Sequence, residues 1–354
     1  MLLFQPIMRT STGSTPTLSA ITSAVLSLCL LGIGASRTAH AAADDPASGF
    51  DLTLERANEL QEAGSTDAAL QIYRSLRDDR PTDPRLLHAM ARASLSAGDY
   101  DACVSDARLG IASNPRDASA AYDVMARCQQ GAGDRDAALK TLTAALQRFP
   151  QSAALHFNHA LALRDRDRDA AAVAFAAALR LAPSDPALFL AYGALLDSEG
   201  QRAGALLMNL RYIMAAPHAP AATGAAEQIL RLLDSETPAG AANGAEDRLQ
   251  GALQVAREAA TAVEGTASTS AGRLNRFLQA FVLGAVTVDD PAVHASPLWS
   301  SGVDPLLTMA EHDVLDTFLY FVGALARTEG SPEWLSAHRP QFERLVEYLA
   351  QPAT

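Results

Sequence analysis

Residues 84–117 read PRLLHAMARASLSAGDYDACVSDARLGIASNPRD, and residues 118–151 read ASAAYDVMARCQQGAGDRDAALKTLTAALQRFPQ. The two stretches share a rhythm more than an identity. Each has a helical run, a Gly-Asp turn (Gly98-Asp99, Gly133-Asp134), a second helical run, and then a proline, which a helix interior does not tolerate. The punctuation continues on both sides. Pro81, Pro115, Pro150, Pro183 and Pro217 lie 34, 35, 33 and 34 residues apart. Seventeen residues before four of them stands Gly64, Gly98, Gly133 or Gly200, and the fourth unit has Arg166 there, in a turn (Asp165-Arg166-Asp167) one residue shorter.

A period of this length means a supersecondary unit stacked on copies of itself. Glycine suits the left-handed conformation that ends a first helix, and Asp99 or Asp134 after it can cap the second. Small residues follow near the start of each second helix, at Ala69, Cys103, Ala138, Ala171 and Ala205, where a short side chain lets paired helices approach closely.

On these residues the stretch 50–218 resembles an array of five tetratricopeptide repeats, at about 50–83, 84–117, 118–151, 152–185 and 186–219. The matching positions include Ala57, Gly64, Ala69, Tyr73 and Pro81 in the first repeat, Ala126, Gly133, Ala138, Ala145 and Pro150 in the third, and Ala160, Ala171, Phe175, Ala178 and Pro183 in the fourth. The second repeat departs most, with Cys103, Ala107 and Gly110 at packing positions, and the fifth has Asn209 where an aromatic is usual. The resemblance implies an all-α solenoid of antiparallel helix pairs, whose units bury their apolar faces only by stacking. It also implies a concave groove lined by the first helices, which in this family binds peptides or protein segments.

Carried onto this chain, the groove positions are Asn58 in the first repeat, Arg85, His88 and Arg92 in the second, Asp123 and Arg127 in the third, and Phe157 and Arg164 in the fourth. Leu54, Gln61, Glu62, Leu95, Gln130, Leu161, Leu190, Ala194 and Asp197 join them. Arg92 and Arg127 hold equivalent places, so two guanidinium forks side by side would grip a carboxylate or an acidic peptide; the plainer alternative pairs them with Asp123 or with water. The family's chaperone-tail clamp is excluded, because only Asn58 fits its pattern, with Leu54, Ala89, Ala120 and Val124 at the other places.

The first 43 residues contain no acid, and an apolar stretch from about Leu18 to Gly34 precedes Ala39-His40-Ala41. This is the layout of a secretory signal peptide over 1–41, pointing to export, with a periplasmic location expected. An uncleaved anchor or a mitochondrial presequence would share parts of that pattern. The net charge of −12 becomes −14 once Arg9 and Arg37 are removed with that segment. An acidic chain is a poor wrapper of nucleic acid or of an anionic membrane surface, and no membrane span is expected in the mature chain. Cys103 and Cys128 are the only cysteines beyond that segment; an oxidising compartment permits a bond between them, and buried packing is the alternative.

Beyond Pro217 the rhythm fades. Residues 221–263 read as two capping helices or a degenerate sixth repeat, the first with Ile229, Leu230 and Leu233 on one face. Residues 271–351 read as a C-terminal helical domain. It has a helix from Arg273 to Val286 carrying Leu274, Phe277, Leu278 and Phe281, and a second from an Asp304-Pro305 cap to about Arg327 carrying Leu315, Phe318, Leu319, Val322 and Leu325. Ser331-Pro332-Glu333 starts the last segment with the same kind of cap, and Pro340 should break or restart it. His312 and Asp316, four apart, have a spacing that can place two metal ligands on one helix face, but no third or fourth ligand accompanies them. Phosphate-cradling glycine loops, nucleophile elbows and paired-cysteine metal motifs are absent from the sequence. No catalytic residue, metal or cofactor is therefore assigned. The expectation is an exported scaffold that binds a protein or peptide partner and has no catalysis of its own. The alternative makes the C-terminal helices an enzyme or ligand-binding module carried by the repeats.

Overall fold

The computed structural model describes residues 46–234, 249, 251–256, 258, 270–288, 291–296 and 298–351. The expected signal segment 1–41 and most of the expected helix 246–263 lie outside the described residues. Among those described there are helices and no strand. Ten helices form five consecutive pairs: α1 (Pro46–Glu62) with α2 (Thr66–Asp79), α3 (Pro84–Ala97) with α4 (Tyr100–Ser113), α5 (Ser119–Gly131) with α6 (Arg135–Arg148), α7 (Ala153–Leu163) with α8 (Arg168–Leu181), and α9 (Pro186–Ser198) with α10 (Arg202–Ala215). The first helices of neighbouring pairs touch, α3 on α5 and α5 on α7. This is a tetratricopeptide-like α-solenoid.

The turn chemistry explains the pairing. Gly64, Gly98, Gly133 and Gly200 all have φ between 75° and 83°, a region costly for residues with a Cβ. Asp99 accepts from the Ala102 amide at 3.1 Å, Asp134 from Ala137 at 3.0 Å and Asp167 from Ala170 at 3.0 Å, each satisfying an orphan N–H of a second helix. The fourth turn manages without glycine because it is shorter and is tied sideways. Asp165 pairs with Arg135 at 3.2 Å, and Arg166 pairs with Asp136, both partners lying at the start of α6. The five small residues Ala69, Cys103, Ala138, Ala171 and Ala205 are all 0% exposed, so helix approach is limited by these short side chains. In the fifth repeat Asn209 turns its amide back to the Ala205 carbonyl at 2.8 Å, meeting the polar requirement that its burial creates.

Cys103 and Cys128 form a disulfide with their Cα atoms 6.1 Å apart. It staples α4 to α5, hence the second repeat to the third. Both residues pack with Ala91, Ala107 and Val124 in one apolar cluster.

After α10 come α11 (Ala221–Asp234), α12 (Ser270–Val286), the short α13 (Pro291–His294), a π-helical turn (Trp299–Val303), α14 (Asp304–Glu311), α15 (Leu315–Leu325), α16 (Ser331–Ala337) and α17 (Arg339–Leu349). One hydrophobic cluster runs from Ala160 in α7 through Phe175, Leu207 and Ile229 to Phe277, Phe318 and Leu345. The helices of 271–351 thus share a core with the last repeats. Gly302 marks a close approach, since a Cβ there would lie 2.9 Å from that of Leu207 on α10.

Three local expectations are corrected. The helix read from Asp304 to Arg327 is two helices, α14 and α15, because Asp313 turns to φ 56° between them. His312 and Asp316 therefore sit on either side of a break and not on one helix face. Asp304 and Ser331 are first helical residues rather than caps, following Val303 and the left-handed Gly330. On α11 Ile229 is buried together with Ala222, Ala225, Ala226 and Leu232, and Leu230 is half-buried, while the side chain of Leu233 lies outside the described residues. The stripe Leu274, Phe277, Leu278 and Phe281 is buried as read, as are Phe318, Leu319 and Val322 of the second stripe, whose Leu315 and Leu325 are only half-buried.

Candidate binding groove

The first helices of the repeats carry two open cavities. The smaller, of about 400 Å³, lies over α1 and α3 and reaches the start of α5. Asn58, Glu62, Arg85, His88 and Arg92 line it, with Tyr73 behind. Most of the residues lining it carry polar groups. The Tyr73 hydroxyl donates to Asn58 Oδ1 at 2.8 Å, and burial raises that phenol's pKa. Arg85 is committed to its own helix cap, Asp83, at 3.1 Å. Burial, with Arg92 one turn away, lowers the His88 pKa, so the imidazole is uncharged at neutral pH. His88 Nδ1 is buried without a hydrogen-bond partner among the described residues.

The larger cavity, of about 860 Å³, lies over α5 and α7. Asp123, Arg127, Phe157 and Leu161 line it, with Leu95 of α3 and Leu188 of α9. The Asn158 side-chain amide donates both to Asp123 and, at 3.2 Å, to the Ala154 carbonyl. Asp123 is pushed above the ordinary carboxylate pKa by burial, against the lowering influence of Arg127 and of the Asn158 bond. Phe157 is held from behind by Phe175, with ring centroids 6.0 Å apart, and Phe175 by Tyr192 at 5.3 Å. The groove wall therefore stands on the aromatic core.

Of the residues read from sequence, Asn58, Arg85, His88 and Arg92 come together in one cavity, and Asp123, Arg127 and Phe157 in the other. Arg164 lines neither; it ends α7 and pairs with the neighbouring Asp165 at 3.5 Å. Arg92 and Arg127 line different cavities, and Arg127 is engaged electrostatically with Asp123 one turn earlier on its own helix. Leu54 is buried in the core instead of facing the groove. His156 and His159, which flank Phe157 in the chain, lie within hydrogen-bond distance of the Pro150 carbonyl and of the Thr143 hydroxyl.

Sequence reading missed Asn158, Asp117 and Asp185. A signal for the first existed: Asn158 lies 35 residues after Asp123, one repeat on, and a polar residue among buried neighbours needs a partner. Asp185 hid behind its structural duty, because its side chain caps α9 through the Ala187 amide at 2.9 Å. Among the described residues no group of three or more His, Cys, Asp or Glu side chains could hold a metal, and no helix is long and apolar enough to cross a membrane.

No protein-family profile matches the chain, and no curated protein matches it. Solved structures similar to it include a thermophilic TPR protein of Thermus thermophilus, at 25% identity over 51% of this chain and 99% of that one, with a TM-score of 0.46. PilF of Pseudomonas aeruginosa is similar at 18% identity over 53% and 94% of the two chains, with a TM-score of 0.41. YrrB, described as a TPR protein with an unusual peptide-binding site, is similar at 16% identity over 52% and 98%, with a TM-score of 0.37.

Proposed function

We propose that this chain is an exported scaffold that docks a segment of a partner protein along the first helices of its repeats. One observation carries the reading: both cavities fall on successive first helices, α1 to α9, and their walls mix apolar side chains with converging polar groups. In the smaller cavity two of those groups, Gln61 Oε1 and His88 Nδ1, have no partner among the described residues. Concave sites that combine apolar area with a few convergent polar groups are where ligands gain both affinity and orientation. Export is supported by the acid-free, apolar N-terminal segment and by a disulfide, a bond that persists in oxidising compartments.

The test places a photo-crosslinking amino acid at Leu161 in the larger cavity and, as a control, at Val173, which is 71% exposed on α8. A discrete adduct from position 161, absent from 173 and weakened by Phe157→Ala, is the expected result. Equal labelling from both positions, or labelling indifferent to Phe157, would overturn the groove. For export, the N-terminus of the purified native protein should begin shortly after Ala41 or Ala43; a chain retaining Met1 in a cytosolic fraction would remove that part of the proposal.

A further inference from the structure

The larger cavity has a charge balance that selects its occupant. Asp123 and Asp185 bring two carboxylates to its wall, and Arg127 brings one cation. One oxygen of Asp123 takes the Asn158 amide, and one oxygen of Asp185 caps α9. Neither carboxylate's second oxygen accepts a hydrogen bond among the described residues. Burial raises the Asp123 pKa despite Arg127 and Asn158, so its ionised form is incompletely solvated in the free protein. A donor-rich cation entering the cavity would offset that cost. An incoming acid would instead meet two like charges.

The apolar part of the wall fits the same occupant. Lysine and arginine carry long aliphatic stems that lie along apolar surface while the charged head finds polar partners. Phe157 and Leu161 supply that surface, and a cation over an aromatic face gains further attraction. The chain's net charge of −12 draws a basic segment from a distance.

We propose that the larger cavity receives a lysine or arginine side chain of the partner segment, flanked by apolar residues. The proposal rests on the groove reading above and names the chemistry of its occupant.

The test uses three labelled, end-blocked peptides of the same leucine- and phenylalanine-containing sequence, with arginine, glutamine or glutamate at the polar positions. Binding to the full chain is followed by fluorescence anisotropy. The arginine peptide should bind about tenfold tighter than the glutamine peptide, as expected for one charge-assisted hydrogen bond, and the glutamate peptide more weakly than either. Asp123→Asn should erase the arginine preference without weakening the glutamine peptide. Arg127→Ala, a change at an exposed residue, should strengthen the arginine peptide by removing a competing cation, which keeps the test decisive if the Asp123 variant folds poorly. Phe157→Ala should weaken the arginine and glutamine peptides alike. Equal or inverted preference, with sensitivity to Phe157 retained, overturns the cation assignment and leaves the groove standing. Failure of all three peptides to bind, or binding untouched by Phe157→Ala, overturns both.

Discussion

Replacing Phe175 by alanine tests the link between core and groove. The ring is fully buried and lies between Phe157 of the groove wall and Tyr192 of the next repeat, at centroid distances of 6.0 and 5.3 Å. Truncating a buried phenylalanine costs about 3–5 kcal/mol through lost transfer energy and the cavity left behind. Each aromatic pair carries roughly 0.5–1.5 kcal/mol beyond area burial, which places this site in the upper half of the truncation range, at about 4–5 kcal/mol. Val173→Ala, two residues away on the same helix but 71% exposed, should stay within about 0.5 kcal/mol. Urea unfolding followed by tryptophan fluorescence reads both, because Trp299 belongs to the same core. Stability in a stacked array is a sum of nearest-neighbour terms. Hydrogen exchange should therefore speed up most in α7 to α9 and least in α2. A loss below about 2 kcal/mol, or faster exchange spread evenly along the array, would refute a local aromatic keystone.

Three further outcomes follow from single contacts. Asp123 has a folded pKa above its unfolded value, so the native state holds that proton longer and its contribution to stability is full below the ordinary carboxylate range. That contribution is lost as pH rises through the raised value. The stability of Asp123→Asn relative to the parent should thus grow from acid toward neutral pH in urea titrations, and a constant or shrinking difference would contradict the burial argument. Loss of the Cys103–Cys128 bond, which closes a separation of 25 residues, should cost about 3.5 kcal/mol on the loop-entropy relation; peptide mapping should recover the two cysteines linked, and equal melting with and without reductant would count against a staple. Gly302→Ala drives a Cβ to 2.9 Å from that of Leu207, so a loss of about 1–3 kcal/mol and earlier proteolysis of the C-terminal helices are expected. A fully stable variant would show that this contact yields.

Much of the array was legible because its signals are local. A left-handed turn wants glycine whatever lies beyond it, and Gly64, Gly98, Gly133 and Gly200 adopt that turn. The caps at Asp99 and Asp134 involve amides only three residues on. The long C-terminal helix was misread for a related reason. An apolar periodicity continues across residues 312–314, and the turn at Asp313 leaves only a weak mark in composition.

Which residues line the two cavities was legible in outline, and their charge balance was not. Repeat register placed Asp123, Arg127 and Phe157 on one surface, but a register gives the helix face and not the partner of each charge. Whether Arg127 answers Asp123 or a neighbouring repeat, and whether Asn158 reaches back 35 residues to the same carboxylate, depends on how closely adjacent pairs stack.

What the sequence determined by itself was the repeating unit, since turns, caps and small packing residues act within a few positions of the chain. Tertiary structure decided the rest: the division of the groove into a polar and a more apolar cavity, the disulfide between repeats, and the merging of the last helices with the solenoid core. Each of these brings together side chains from different turns of the stack, and their separation is governed by packing distances that no local spacing encodes.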